Sequence, residues 1–297
     1  MGAANRPPLV TLGDFFHFAV RRFRAARLAY GHGTSNARDE AAFLLLEALK
    51  LPIHDITPWL ALRPSPAERA RLRSLIDARI ELRMPAPYLL GSAYMHGVRF
   101  LADRRALIPR SYIGEMLADG VLPIGNAGRM RRVLDLCTGS GCLAVLAALA
   151  FPRALVDASD LSAKALALAA RNVAEHRLGD RIELHRGDLF APLAGRRYDL
   201  IITNPPYVDA KAMARLPPEY RHEPRLALAA GADGLDFVRR ILGDVPKHLN
   251  AHGGLLCEVG RGRPALERSY PRLPFLWLDS ERSDGEVCWL ARTDFEA

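Results

Sequence analysis

No apolar stretch of this chain can span a membrane as a helix. The longest unbroken run, 143–151, is nine residues, where a helical span needs about twenty. Cysteine is scarce. Cys137, Cys142, Cys257 and Cys288 are all there are. None forms a C-x-x-C pair, and all sit among apolar neighbours, which predicts buried reduced thiols and no disulfide scaffold. The nine histidines are scattered, with no H-E-x-x-H and no mixed Cys/His ligand set. His248 and His252 are four apart, but Gly253 and Gly254 follow at once and end the helix, so no metal site is expected. No Lys/Arg run exceeds two residues, and repeats and low-complexity tracts are absent. The opening residues 1–16 lack the basic-then-apolar layout of a secretory leader, so a cytoplasmic location is expected by default.

What is present is a chain of 297 residues with 49% apolar content, enough for one large domain or two smaller ones with a substantial core. Its net charge of +8 is uneven. Residues 1–132 carry 20 Lys/Arg and 11 Asp/Glu, whereas 133–297 carry 21 and 22. The first part can meet a polyanion, or it can be the solvated face of an arginine-rich helical module; charge alone leaves both open.

The chain reads in two textures. Residues 11–31 place Phe15, Phe16, Ala19, Phe23 and Ala26 on one helical face. A second helix is predicted over 37–50, and a third over 66–83 with Leu72, Leu75, Ile76 and Ile80 at three- and four-residue spacing. This gives a helical module of about 85 residues. Residues 98–108 read as a hairpin turning near Asp103. They are followed by a turn into a helix at 109–117 and a loop holding Gly120, Pro123, Gly125 and Gly128. From Arg132 strands and helices alternate, with strands predicted at 133–136, 154–159, 181–186, 198–203 and 253–260, then two closing strands at 275–278 and 286–292. Alternation on this scale argues an α/β fold whose mainly parallel sheet binds ligand at its C-terminal edge.

Chemistry collects at the ends of those strands. Thr138, Gly139, Ser140 and Gly141 join the first strand to an apolar helix, and the two glycines let backbone approach a ligand closely. The third glycine of a dinucleotide fingerprint is missing, which argues against a nicotinamide dehydrogenase. Asp135 closes the first strand. Asp160 closes the second, where a carboxylate can accept ribose hydroxyls. Asp188 closes the third, placed to accept an adenine amino group while Leu189 covers the ring. Asn204-Pro205-Pro206-Tyr207 follows the fourth. Two prolines supply no N–H, so the Asn204 side-chain oxygen and the Pro205 carbonyl are available acceptors beside the flat face of Tyr207. Such a corner suits a planar NH₂ group: a glutamine side-chain amide or an adenine amino group.

These residues resemble the class I S-adenosylmethionine-dependent methyltransferases. The resemblance narrows to the HemK family of protein-glutamine N5-methyltransferases, which joins a helical N-terminal domain and hairpin linker to a catalytic domain carrying D-L-x-T-G-S-G and N-P-P-Y. Here these are 135–142, DLCTGSGC, and 204–209, NPPYVD. The stretches 30–34, 108–115 and 216–237, with Cys137 where many relatives have glycine, are most similar to the branch acting on the third large-subunit ribosomal protein, L3. Tyr112 stands where that branch has proline. The resemblance implies a Rossmann-like domain with a seven-stranded sheet over 132–297, a hairpin and linker over 86–131, and a helical substrate-recognition domain over 1–85. It implies S-adenosylmethionine held by Cys137 to Gly141, Asp135, Asp160, Asp188, Leu189 and Asn204, and a glutamine amide held at Asn204, Pro205, Pro206 and Tyr207. Ribosomal protein L3 is the implied partner, with ribosomal RNA or an assembly precursor as a candidate for the basic first part. A release factor or an adenine amino group in nucleic acid are the alternative substrates. Glu223 is read as a brace for its loop or as an acceptor of the departing proton.

Overall fold

The computed structural model describes residues 9–124, 127–280 and 283–296. The stretch 1–8, where a leader would begin, and Gly125 of the linker loop lie outside these. The chain divides into two compact units: Met1–Ser92 together with Pro217–His222, and Ala93–Leu216 together with Glu223–Ala297. The hairpin and most of the linker that the sequence sets apart belong to the second unit.

The first unit is helical. Helix α1 (Leu12–Ala25) opens on a Thr11/Asp14 capping box, α2 (Ala37–Ala48) on an Asn36 cap, and α3 (Pro66–Glu81) on a Ser65/Glu68 capping box with proline in its first turn. Each arrangement satisfies helix amides that would otherwise lack partners. Phe15, Phe16, Ala19 and Phe23 pack with Ala41, Leu44, Leu45, Leu72 and Ile76 in one core, as the helical spacing requires. A short α4 (Ala86–Leu90) ends at Gly91 in the left-handed conformation.

That core also buries charge. Arg79 is wholly enclosed, and its guanidinium donates to Glu40 at 2.5 Å and to the Ala29 carbonyl at 3.0 Å. Glu219, equally enclosed, accepts from Arg83 at 2.7 Å and from the Ala29 amide at 2.9 Å. Six residues from the long loop thus belong to the helical unit through a carboxylate that only paired donors make tolerable there.

Strand β1 (Ser92–Met95), all but its first residue in the second unit, and β2 (Val98–Leu101) form the hairpin. Its turn is His96-Gly97, not Asp103. Both turn residues have positive φ, +50° and +78°, the signature of a two-residue primed turn. Asp103 instead accepts from the Arg105 amide and side chain, a local turn outside any ladder. Helix α5 (Tyr112–Asp119) follows.

The large sheet contains β3 (Arg132–Leu136), β4 (Leu155–Asp160), β5 (Ile182–Arg186), β6 (Tyr198–Thr203), β7 (Leu249–Glu258), β8 (Leu276–Ser280) and β9 (Ser283–Ala291), in the order β5-β4-β3-β6-β7-β9-β8. Pairing is parallel from β5 to β7 and antiparallel for β9 against β7 and β8. Helices α6 (Cys142–Ala150), α7 (Ala163–Glu175), α8 (Ala210–Met213), α9 (Asp236–His248) and α10 (Arg263–Ser269) supply the connections. The apolar cores of this unit include one around α6 with α5 and the hairpin, and another around α9. Helix α6 is apolar on nearly every side because it sits inside the first of them. The chain leaves β3 toward β4 on one side, while β6 lies against β3 on the other. The strand order therefore reverses between β3 and β6, and the crevice outside their C-terminal ends is the place such sheets keep for ligands. Among the described residues no helix is long and apolar enough to cross a membrane.

Candidate active site

The loop after β3 is fixed from below by buried polar groups. Asp135, fully buried, accepts from the Thr138 hydroxyl at 2.5 Å and from the Ala144 amide at 2.9 Å. One first-turn amide of α6 is thereby already committed. Burial holds the Asp135 proton and pushes its pKa up to about 7. Asn172, also fully buried, donates to the Ser140 carbonyl at 2.9 Å and pairs with both backbone groups of Leu101 at the end of the hairpin. Gly141 sits at φ +80°, and a Cβ there would meet the Ala169 side chain at 3.0 Å. Glycine is required at that point so that the loop can lie flat on α7.

Above this base lies an open cleft. Its lining includes Cys137, Gly139, Asp160, Asp188, Leu189, Asn204 and Pro206, drawn from the ends of β3, β4, β5 and β6. Those seven sequence-selected residues come together on one wall system. Asp135, Thr138, Ser140 and Gly141 do not line the cleft; they shape the loop that does. Pro205 is buried, and Tyr207 packs behind the corner, its ring against Gly260. Asp160 accepts from the Gly139 amide at 2.9 Å and the Ser162 amide at 2.8 Å, one on each oxygen. Its carboxylate therefore holds the glycine loop as well as facing the cleft. Burial raises its pKa despite these two amides. Asp188 is half exposed and paired with Arg240 at 2.6 Å, a contact weak enough at the surface for a ligand amino group to compete with it.

Backbone strain marks the same place. Seven described non-glycine residues have positive φ. Arg27, Lys50, Arg83 and Arg177 follow the ends of helices, where a left-handed residue is an ordinary stop signal, and His96 makes the hairpin turn. The remaining two, Cys137 at +62° and Leu189 at +49°, both line the cleft. Left-handed backbone costs a side chain about 1–2 kcal/mol, and such residues concentrate where a ligand sets the geometry. Burial pushes the Cys137 thiol well up and keeps it protonated.

The corner after β6 is held at both ends. Thr203 donates its hydroxyl to the Leu136 carbonyl at 2.7 Å, tying β6 to β3 at the last rung. The Asn204 side-chain NH₂ donates to the Arg110 carbonyl at 3.3 Å. Only that end of the amide can donate, so the side-chain oxygen is left as an acceptor. The Tyr207 hydroxyl donates to Glu258 at 3.1 Å. Glu258, at the end of β7 and almost wholly buried, also accepts from the Ser111 hydroxyl at 2.6 Å and the Tyr112 amide at 3.0 Å. Burial outweighs these three donors and sets its pKa at about 7.

Glu223 is engaged on both oxygens by the Arg110 guanidinium, at 2.6 and 2.7 Å, and accepts from the Ile108 amide at 3.1 Å. It braces the turn 108–111. The turn where Tyr112 departs from the expected proline is thus the frame of the corner, and what it contributes there are backbone groups and the Ser111 hydroxyl. Sequence reasoning missed Glu258, Asn172, Ser111 and the Arg110 carbonyl. Glu258 alone had a readable signal, since it closes a strand as Asp135, Asp160 and Asp188 do. Asp157, Glu183 and His185 form a group that could hold a metal, but the Arg196 guanidinium already bridges Asp157 and Glu183 at 2.7 and 2.9 Å.

The architecture and sequence have relatives. The family model described as methyltransferase small domain matches residues 121–216. A ribosomal protein uL3 glutamine methyltransferase of Bradyrhizobium diazoefficiens is 53% identical over 303 residues, covering all of this chain and 95% of its own length. A protein of the same name from Bordetella pertussis is 51% identical over 97% of both chains. Among solved structures, the hMettl16 catalytic domain in complex with the MAT2A 3′UTR hairpin 1 shares the fold, with a TM-score of 0.51 at 17% identity over 98% of this chain and 94% of that one. A strand-end cleft on a Rossmann-like sheet and full-length identity above one half lead to one conclusion: this chain is a methyltransferase and belongs to the ribosomal protein uL3 glutamine methyltransferase family.

Proposed function

We propose that this enzyme transfers a methyl group from S-adenosylmethionine to the side-chain amide nitrogen, N5, of a glutamine in ribosomal protein uL3. The observation that carries this reading is the fixed orientation of Asn204: its NH₂ is anchored on the Arg110 carbonyl, and it lines the cleft that Gly139 and Asp160 also line. The names of the full-length relatives supply the substrate class.

The residues present fit the cofactor. A Cβ at Gly139 would meet nothing within 4 Å, so the loop leaves open space beside the cleft. Asp160 has one amide on each oxygen and keeps acceptor capacity for ribose hydroxyls, while Asp188 and Leu189 flank the place for adenine. Bound there, S-adenosylmethionine supplies an electrophilic methyl group on a sulfonium. The protein's task concerns the amide nitrogen, whose lone pair is delocalised into its carbonyl. Asn204 Oδ1 and the Pro205 carbonyl accept its two N–H bonds. Those bonds strengthen as the nitrogen gains positive character, so they stabilise the transition state more than the ground state. The Tyr207 ring, backed by Gly260 and tethered through its hydroxyl to Glu258, lies against the amide plane. After attack the nitrogen is cationic and acidic, so its proton passes to solvent water, and Glu223, committed to Arg110, takes no part in its removal.

In the first unit Arg21, Arg24, Arg27, Arg38, Arg71 and Arg73 are exposed. This surface suits ribosomal RNA held with nascent uL3, and such binding would weaken steeply with added salt. The cytoplasm, where uL3 is made, is the proposed site of action. The test is incubation with labelled S-adenosylmethionine and separated large-subunit proteins, release factors and nucleic acids, followed by mass spectrometry. Label at a glutamine of uL3 is expected. Label in nucleic acid or a release factor, with none in uL3, overturns the reading.

A further inference from the structure

Asn204 can serve as an acceptor only if its amide is held the right way round. A flipped amide would turn NH₂ toward the substrate nitrogen, donor facing donor. Nothing in the Asn-Pro-Pro-Tyr sequence prevents that flip, since Pro205 and Pro206 restrict backbone and not the Asn204 side chain. Among the described residues, the partner that selects between the two orientations is the Arg110 carbonyl, at 3.3 Å. That carbonyl sits on a turn without regular structure, ahead of α5, so something must hold the turn. The Arg110 side chain is about a quarter exposed, that of Glu223 wholly enclosed, and the two meet in a two-pronged ion pair at 2.6 and 2.7 Å. Arg110 also donates weakly to the Ile108 carbonyl at 3.4 Å, and the Ile108 amide donates to Glu223 at 3.1 Å. The fork fixes the plane of the guanidinium and, with the Ile108 amide, the path of the backbone between 108 and 110.

We propose that Arg110 is a positioning residue for glutamine methylation: clamped by Glu223, it holds the peptide whose carbonyl orients the Asn204 amide with its oxygen toward the substrate. This rests on the reading of Asn204 as the acceptor for the substrate amide. Arg110 touches neither reactant in this scheme. Glu223 acts at one further remove and needs its charge and its fork, not a basic lone pair. The arrangement joins residues 113 positions apart and links the loop bearing Glu223 to the Asn204 corner through Arg110.

The test is a double-mutant cycle on the full chain, with kcat and KM for uL3 and cofactor affinity by calorimetry. Asn204→Ala alone must lower kcat by roughly 10²–10³, the effect of removing one such electrostatic partner. If it does not, the acceptor reading fails, and Arg110 is not the cause. Arg110→Met is expected to lower kcat about five- to tenfold, the weight of one neutral hydrogen bond, with KM and cofactor affinity within about twofold. Arg110→Lys, which keeps the charge and loses the fork, should recover part of that loss. In the Asn204→Ala background Arg110→Met should have no further effect on kcat, because the group it orients is gone. Additive losses in the double variant overturn the proposal, as does a loss confined to KM. If Arg110→Met does not fold, Arg110→Lys in the same cycle decides the matter, and a kcat for it equal to the parent enzyme counts against the proposal.

Discussion

Gly260 follows β7 at φ +50°, and a Cβ placed there would lie 2.8 and 2.9 Å from two carbons of the Tyr207 ring. Carbon atoms in contact sit near 3.5 Å or beyond, so Gly260→Ala must displace the ring by roughly 0.7 Å. The Tyr207–Glu258 hydrogen bond is already 3.1 Å, and a shift of that size breaks it, since a hydroxyl-to-oxygen bond beyond about 3.5 Å contributes little. The left-handed backbone adds about 1–2 kcal/mol of strain for alanine. The lost bond to an ionisable group is worth about 1.5–3 kcal/mol. The strain falls on stability and is read as a lower melting temperature. The lost tether falls on the ring proposed to lie against the substrate amide, and a cost of about 1.4 kcal/mol at the transition state is tenfold in rate. A fall in kcat of roughly ten- to a hundredfold is therefore expected in a methyl-transfer assay with uL3, with cofactor affinity by calorimetry unchanged. A folded Gly260→Ala protein with kcat within about twofold of the parent would refute the role given to the Tyr207 ring.

Glu258 offers a pH test. Its folded pKa of about 7 stands above the ordinary 4.5, so between those values the folded chain keeps a proton that the unfolded chain has lost. Stability should fall as pH rises through that window. Glu258→Gln should flatten that part of the slope in melting temperature against pH, although buried Asp135, also near 7, leaves a residual slope; equal slopes in both proteins would contradict the assignment. Activity should rise with pH through about 7 in the parent enzyme, as the charged carboxylate takes up its three donors, and Glu258→Gln should lack that rise. In the first unit, Glu219→Ala removes the carboxylate that Arg83 and the Ala29 amide share, while Arg79 keeps Glu40. It should destabilise that unit by about 1–3 kcal/mol, seen as a lower transition temperature in calorimetry, and a melting profile like that of the parent would show the carboxylate to be dispensable.

Much of this molecule was legible along the chain because its signals are local. Phe15, Phe16 and Phe23 fall on one helical face at any orientation of the rest. The alternation after Arg132 yields strands and helices in sequence, and the glycines at 139 and 141 and the prolines at 205 and 206 carry their backbone constraints with them. The hairpin turn was misplaced because Asp103 is a generic turn residue, while the decisive left-handed pair, His96-Gly97, contains a histidine that takes the conformation only when the strands demand it.

The sequence by itself determined most of the elements, their order, and the polar residues placed at the strand ends, since each depends on neighbours within a few residues. Only the tertiary structure decided how that crevice is held. It sent Asp135 beneath the loop, joined Arg110 to Glu223, set Ser111 and Tyr207 on the buried Glu258, and drew Glu219 into the helical core. Those partners lie far apart along the chain, and a buried charge reveals its counterpart only once packing has excluded water from both.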